Sequence, residues 1–164
     1  MVWARTKLMI EDDLLRPLPV MKIKFSGQNP ERFYKEIYKL LLVSFRVSGD
    51  SVQEKDFQWS KGETEKFKIS WELNKDLDKF SYYFITVSLS GESSKSSGRA
   101  EIEVDGALRT EYPQDTIWQR SLIYEIMRMF WHTTFYNNER DEYLKEGRRL
   151  LSLFCDQVKA LARV

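Results

Sequence analysis

The amino-acid sequence predicts a single α+β domain, residues 1–164, in which an antiparallel β-meander is packed by an amino-terminal helix and a long, interrupted carboxy-terminal helical segment. The chain of 164 residues has the size of one domain. Apolar and polar residues alternate through its middle, which is the period of a half-buried strand. On either side of this stretch apolar residues recur every three or four positions, as in amphipathic helices.

The amino-terminal part is predicted to contain strands followed by a helix. Residues 2–10 are a candidate edge strand, and the carboxylates and prolines of residues 11–19 are expected to end it. Residues 20–25 alternate clearly and predict the first firm strand. Asn29 is predicted to cap a helix over residues 30–47, because Pro30 at the first helical position loses no needed donor.

Four segments then predict the meander: residues 57–59, 66–73, 80–90 and 99–112. Turn residues separate them rather than crossover helices, so neighbouring strands are expected to be antiparallel. The third of these strands carries apolar residues on both faces and is predicted to be central or to have both faces covered. The serine-rich residues 90–98 predict a mobile hairpin loop, and Asp105-Gly106 suggests a bulge or a tight turn.

The carboxy-terminal part is predicted to be helical. Asp115 is a candidate cap for a helix that begins near Thr116. Asn137-Asn138 is expected to break the helix, and a second helical segment begins at about Glu139.

Composition limits the function classes. Lys and Arg number 26 against 25 Asp and Glu, so the net charge of +1 disfavours nucleic-acid binding. The nucleic-acid alternative needs a basic stripe on neighbouring strands, with Tyr82 and Phe84 as stacking platforms. The lysines of that stripe are Lys22, Lys24, Lys66 and Lys68. The single cysteine excludes an intramolecular disulfide and fits the cytoplasm, and neither a secretion signal nor a membrane span is expected.

Searches for catalytic chemistry give weak candidates. No glycine-rich phosphate loop is present, and one His with one Cys cannot form a usual zinc site, so no cofactor or metal is predicted. His132 and Cys155 are a candidate base and nucleophile, although buried cysteines more often only pack. Glu101, Glu103 and Asp105 are candidate acid–base groups, and the alternative is ion pairing with lysines such as Lys66 and Lys68.

Excess apolar surface is the most informative feature. Residues 117–131 carry apolar side chains around far more than a third of a helix, which predicts either an internal helix, an oligomer interface or the wall of an apolar ligand cavity. A homodimer anchored by aromatic residues is the simplest interface. The candidate ligand or interface residues are Phe57, Trp59, Tyr82, Phe84, Trp118, Phe130, Trp131 and His132.

The order of strand, helix, meander and carboxy-terminal helix resembles in outline the helix-grip fold of START-like ligand-binding proteins. That resemblance implies a cavity between a curved sheet and the last helix, which would hold an apolar ligand or a substrate, with His132, Arg109 or a tyrosine in proton transfer. From the residues themselves we predict a non-enzymatic binding or assembly module, whose partner is a second copy, another protein or an apolar small molecule. The helix-grip carrier or enzyme is the alternative.

Overall fold

A computed structural model of the chain describes residues 7–18, 20–26, 30–60, 62, 64–94, 98–114 and 116–162. It has one antiparallel sheet and three α-helices within these ranges, which confirms the predicted α+β class. The strands are β1 (Lys7–Asp13), β2 (Met21–Ser26), β3 (Val52–Ser60), β4 (Thr64–Asp76), β5 (Ser81–Ser94) and β6 (Gly98–Pro113). The helices are α1 (Pro30–Phe45), α2 (Leu122–Trp131) and α3 (Asn137–Ala162).

Strand β6 organises the sheet, whose order is β1-β6-β5-β4-β3. One edge of β6 pairs with β5, and its other edge pairs first with β2, up to Val104, and then with β1, from Ala107. The predicted bulge or turn at Asp105-Gly106 is wrong, because the β5 register continues through both residues; it is instead the point where β6 changes partner. A Cβ on Gly106 would lie 2.9 Å from a methyl group of Leu151, so a larger residue here would displace the Leu151 side chain of α3.

The core lies between the inner face of the sheet and the helices α1 and α3. Strand β5 is central, as predicted, and its residues alternate between full burial and partial exposure. The fully buried side chains of the sheet, α1 and α3 include Ile37, Leu41, Phe45, Trp71, Ile85, Leu89, Leu151, Phe154 and Val158. These side chains fill the space in which a helix-grip protein would have its cavity, and the helix-grip likeness is not confirmed.

Strands β3, β4, β5 and β6 are longer than predicted, and β1 continues past its predicted end. Strand β1 continues through Asp13, because Glu11 pairs with Arg109 and Asp12 with Arg140, so the carboxylates that were expected to end the strand are neutralised. Strand β5 continues to Ser94 in register with β4, so the predicted loop is wrong over residues 90–94, and residues 95–97 lie outside the described residues.

The carboxy-terminal helical segment differs from the prediction in two ways: its first α-helix begins later, and its α-helical structure is interrupted at a different place. Helix α2 begins at Leu122, and Ser121 caps it by accepting a hydrogen bond from the Tyr124 amide at 3.2 Å. A π turn, His132–Tyr136, joins α2 to α3, and the predicted break at Asn137-Asn138 is wrong, since both residues are helical. The predicted caps Asn29 and Asp115 lie outside the described residues. Of the helices in the described ranges, none has a stretch long and apolar enough to cross a lipid bilayer.

Candidate docking surface

Helix α2 turns its polar face toward the protein and its apolar face toward solvent. None of its residues is buried, and its half-buried residues are Tyr124, Glu125 and Arg128. Six apolar side chains are 59 to 76% exposed: Leu122, Ile123, Ile126, Met127, Met129 and Phe130. A surface helix of a soluble protein normally has the opposite arrangement.

We define the apolar strip as these six side chains together with Ile117, Trp118 and Phe135, which are 57 to 92% exposed. Phe135 lies in the π turn and meets Phe130 edge to face, with ring centroids 6.3 Å apart. Since a large aromatic side chain offers about 150–250 Å² when extended, the strip exposes on the order of 1,000 Å² of apolar surface. The largest apolar patch of a typical monomer is about 300–600 Å².

The charged residues of α2 pair with each other and contact Tyr112 and Gln114 at the end of strand β6. Glu125 accepts hydrogen bonds from Gln114 at 2.7 Å and from Arg128 at 2.6 Å. The bond from Arg128 lowers the pKa of Glu125, because it stabilises the charged carboxylate. The Arg128 guanidinium also lies over the Tyr112 ring, 5.2 Å from its centroid. The polar face of α2 is therefore committed to contacts with the sheet.

A buried hydrogen-bond network fixes the π turn beneath α2. The Tyr136 hydroxyl bonds to Asp78 at 2.8 Å and to Ser81 at 2.6 Å, and the Ser81 hydroxyl lies 2.6 Å from that of Thr110. Burial raises the pKa of Tyr136, so it stays a neutral donor. Burial opposes ionisation of Asp78, but hydrogen bonds from the amides of Phe80 and Ser81 and from Tyr136 outweigh it and lower its pKa.

The first turn of α3 is anchored to the same network. Arg140, only 7% exposed, donates to Thr110 at 3.0 Å and pairs with Asp12. The sequence analysis missed this network. An aspartate three positions before Ser81 is a turn signal that was available, but nothing in the sequence links Arg140 to Asp12.

The π turn sets the direction in which α2 faces. If α3 continued toward the amino terminus as a regular α-helix, at about 3.6 residues per turn, its buried face would pass near Thr133, Met129 and Leu122. A π turn contains about one additional residue. The side of α2 that meets the sheet therefore passes through Arg128 and Ser121 instead, and the apolar residues are rotated outward.

The predicted candidate residues lie in three separate places. Trp118 and Phe130 belong to the apolar strip. Trp131 and His132 border it on the inner side: Trp131 stacks on Tyr136 with centroids 5.0 Å apart, and His132 Nδ1 lies 2.7 Å from the Tyr112 hydroxyl. Phe130, Trp131 and His132 thus lie at the end of α2, whereas Trp118 precedes its first turn.

The other four candidates are remote from the strip. Phe57 and Trp59 stack on each other on edge strand β3, with centroids 6.0 Å apart. Tyr82 and Phe84 lie on the outer face of β5, where Tyr82 donates to Glu111 at 2.6 Å and Phe84 lies 3.7 Å below the Arg109 guanidinium.

The predicted catalytic pairs are not assembled. His132 and Cys155 are separated by about 35 Å along the continuous helical segment, at about 1.5 Å per residue. Burial raises the pKa of the Cys155 thiol to about 11, which leaves it an inert packing group. Arg109 lies on the outer face of β6, whereas Tyr112, which holds His132, lies on the inner face.

The sheet order also corrects the predicted charge pairs. Glu101 and Glu103 pair with Lys22 of the neighbouring strand β2. The predicted partners Lys66 and Lys68 lie on β4, which β5 separates from β6. The same separation means that the lysines of β2 and β4 form no single basic stripe.

A groove of about 600 Å³ lies on β2, β5 and β6, lined by residues that include Lys24, Phe25, Glu92, Arg99 and Glu101. Within the described ranges, no three His, Cys, Asp or Glu residues are grouped so that they could hold a metal ion.

Comparison with known proteins gives no family. No family model matches the chain, and no curated protein matches it.

Proposed function

We propose that this chain is a non-enzymatic binding or assembly module that acts through the apolar strip of helix α2. The observation that carries the proposal is the outward orientation of the strip, while Glu125 and Arg128 face the sheet. Apolar surface of this extent is costly to leave in water, since each Å² contributes about 25 cal/mol. A partner that covers it gains that free energy.

The anchoring of α2 supports the same proposal. A loosely attached helix would turn its apolar face inward, but the Tyr136 network and the Glu125 contacts hold this one with that face outward. A surface that is already in its binding geometry loses little entropy when a partner binds.

The alternative proposal is a helix-grip carrier or enzyme. It needs a pocket between the sheet and α3 with polar groups that converge in it. In the described residues that space contains side chains without solvent exposure, such as Phe154 and Leu151, so the docking proposal has the better support. We further propose that the module acts in the cytoplasm, because its lone cysteine fits a reducing compartment.

Site-specific photo-crosslinking in the cells that produce the protein tests this proposal. A photoreactive phenylalanine analogue replaces Met127, and a matched chain carries it at Val43, which is 65% exposed on α1. We expect a discrete adduct from position 127 and none from position 43. Adding Phe130→Glu to the position-127 chain should abolish the adduct. If position 127 gives no adduct, or one that Phe130→Glu leaves unchanged, the proposal is wrong.

A further inference from the structure

We propose that the occupant of the apolar strip is a second copy of this chain, which packs its own helix α2 against the strip across a two-fold axis. This inference rests on the proposed function, because it names the partner of the same surface. Three features of the strip favour a second copy.

The first feature is area. A standard stable protein interface buries about 800 Å² on each partner, and the strip exposes on the order of 1,000 Å². Two strips facing each other are therefore large enough for a stable dimer without a contribution from the rest of the sheet.

The second feature is composition. The strip combines aromatic side chains with Met127 and Met129, and charge is depleted around it, as in the centre of an interface between copies of one chain. Within residues 117–135 the ionised side chains are Arg120, Glu125 and Arg128, and the last two face the sheet. The rows of Lys and Arg that hold an amphipathic helix on an anionic bilayer are absent from this segment, so a lipid surface is the poorer match.

The third feature is the distribution of side chains along the strip. Aromatic residues lie at both ends, with Trp118 before α2 and Phe130 and Phe135 after its midpoint, while Ile126 and Met127 occupy the middle. In an antiparallel two-fold pair, Trp118 of one copy meets Phe135 of the second copy twice, and the smaller side chains meet at the axis. An interface formed by the same patch on both copies is the commonest arrangement among soluble oligomers.

Light scattering of the purified full chain across the micromolar range tests this inference. We expect twice the chain mass for the wild type and for Val43→Glu, and the single chain mass for Ile126→Glu. The two substitutions are matched, since both replace a β-branched side chain that is 59% or 65% exposed. Ile126 is not buried, so its variant should keep the wild-type circular dichroism, and its melting temperature should not depend on protein concentration.

Three results would overturn the second copy as occupant. One is a wild-type monomer that retains the crosslinked adduct at Met127; the adduct then identifies a different partner and the proposed function stands. Another is a wild-type monomer that sediments with neutral phosphatidylcholine vesicles while Ile126→Glu does not, which makes the occupant a bilayer. The last is a dimer that Ile126→Glu leaves intact. A monomer that gives no adduct at position 127 removes the proposed function as well.

Discussion

At the scale of single residues, His132 reports on the base of the docking surface. It contacts Tyr112 and Tyr136, and burial, together with the positive charges of Arg140 and Arg128, lowers its pKa. As pH falls below the ordinary histidine value of about 6.5, the unfolded chain binds the proton before the folded chain does. The contribution of His132 to the free energy of unfolding is therefore present above that pH and lost as pH falls through the lowered value.

We expect the wild type to lose more stability than His132→Gln between neutral pH and about pH 5. His132 is the single histidine of the chain, so the variant isolates its contribution from those of the carboxylates, which titrate lower. Urea unfolding at a series of pH values measures the difference. Parallel stability curves for the two proteins would contradict the assignment of a lowered pKa.

Phe84 is a second informative residue, because it lies on the outer face of the central strand and yet is half-buried under Arg109. Phe84→Ser should destabilise the protein by about 2 kcal/mol, through lost apolar burial and the lost contact with the guanidinium. Thr86→Ser, two positions further on the same face, serves as the control. An unchanged denaturation midpoint for Phe84→Ser would show that the outer face contributes nothing there.

Among the strands and helices, the sequence pattern within a segment predicted those elements whose burial depends on that segment alone. Strand β4 was evident because Phe67, Ile69, Trp71 and Leu73 alternate with polar residues and all four are buried. The end of strand β1 was predicted too early, because its carboxylates are neutralised by Arg109 and Arg140, which are distant in sequence. A pattern within one segment carries no information on such partners.

The orientation of α2 could not be predicted either. Its excess of apolar residues was clear, but a helix with this pattern has the same sequence whether its apolar face lies inside or outside. Of the three predicted alternatives, the internal helix is wrong, because α2 is rotated by the π turn and its charged residues contact Gln114 and Tyr112. Nothing in His132–Tyr136 identifies a π turn in advance.

Deleting Thr134 tests whether the π turn accounts for the orientation of α2. Removal of the additional residue should convert the π turn into an α turn and leave Arg128 on the side that meets the sheet, because the shorter chain and the shorter turn compensate for each other. We expect the deletion variant to remain helical by circular dichroism and to bind as much of an apolar fluorescent dye in dilute solution as Thr134→Ala, which keeps the turn length. Lower dye binding by a folded deletion variant would show that α2 has rotated and that the π turn does not account for its orientation.

In the molecule as a whole, the filled core and the apolar strip are formed by different elements. The sheet with α1 and α3 forms a filled core, while α2 extends from the end of β6 and presents its apolar strip to solvent. Of the candidate residues, Trp118 and Phe130 belong to the apolar strip. Nothing in the sequence separates these two from Phe57, Trp59, Tyr82 and Phe84, because only the sheet order shows that the latter lie elsewhere.

The rate at which dilute peroxide oxidises methionine side chains tests whether the strip faces outward and is covered by association. Met127 and Met129 are each 61% exposed in the single chain, and Met9, 49% exposed on β1, is the internal control. Mass spectrometry should find Met127 and Met129 oxidised as readily as Met9 in dilute protein and in Ile126→Glu, and protected in concentrated wild type, while Met9 reacts equally throughout. Slow oxidation of Met127 and Met129 under every condition, and in Ile126→Glu as well, would place the strip inside the folded monomer and contradict its outward orientation.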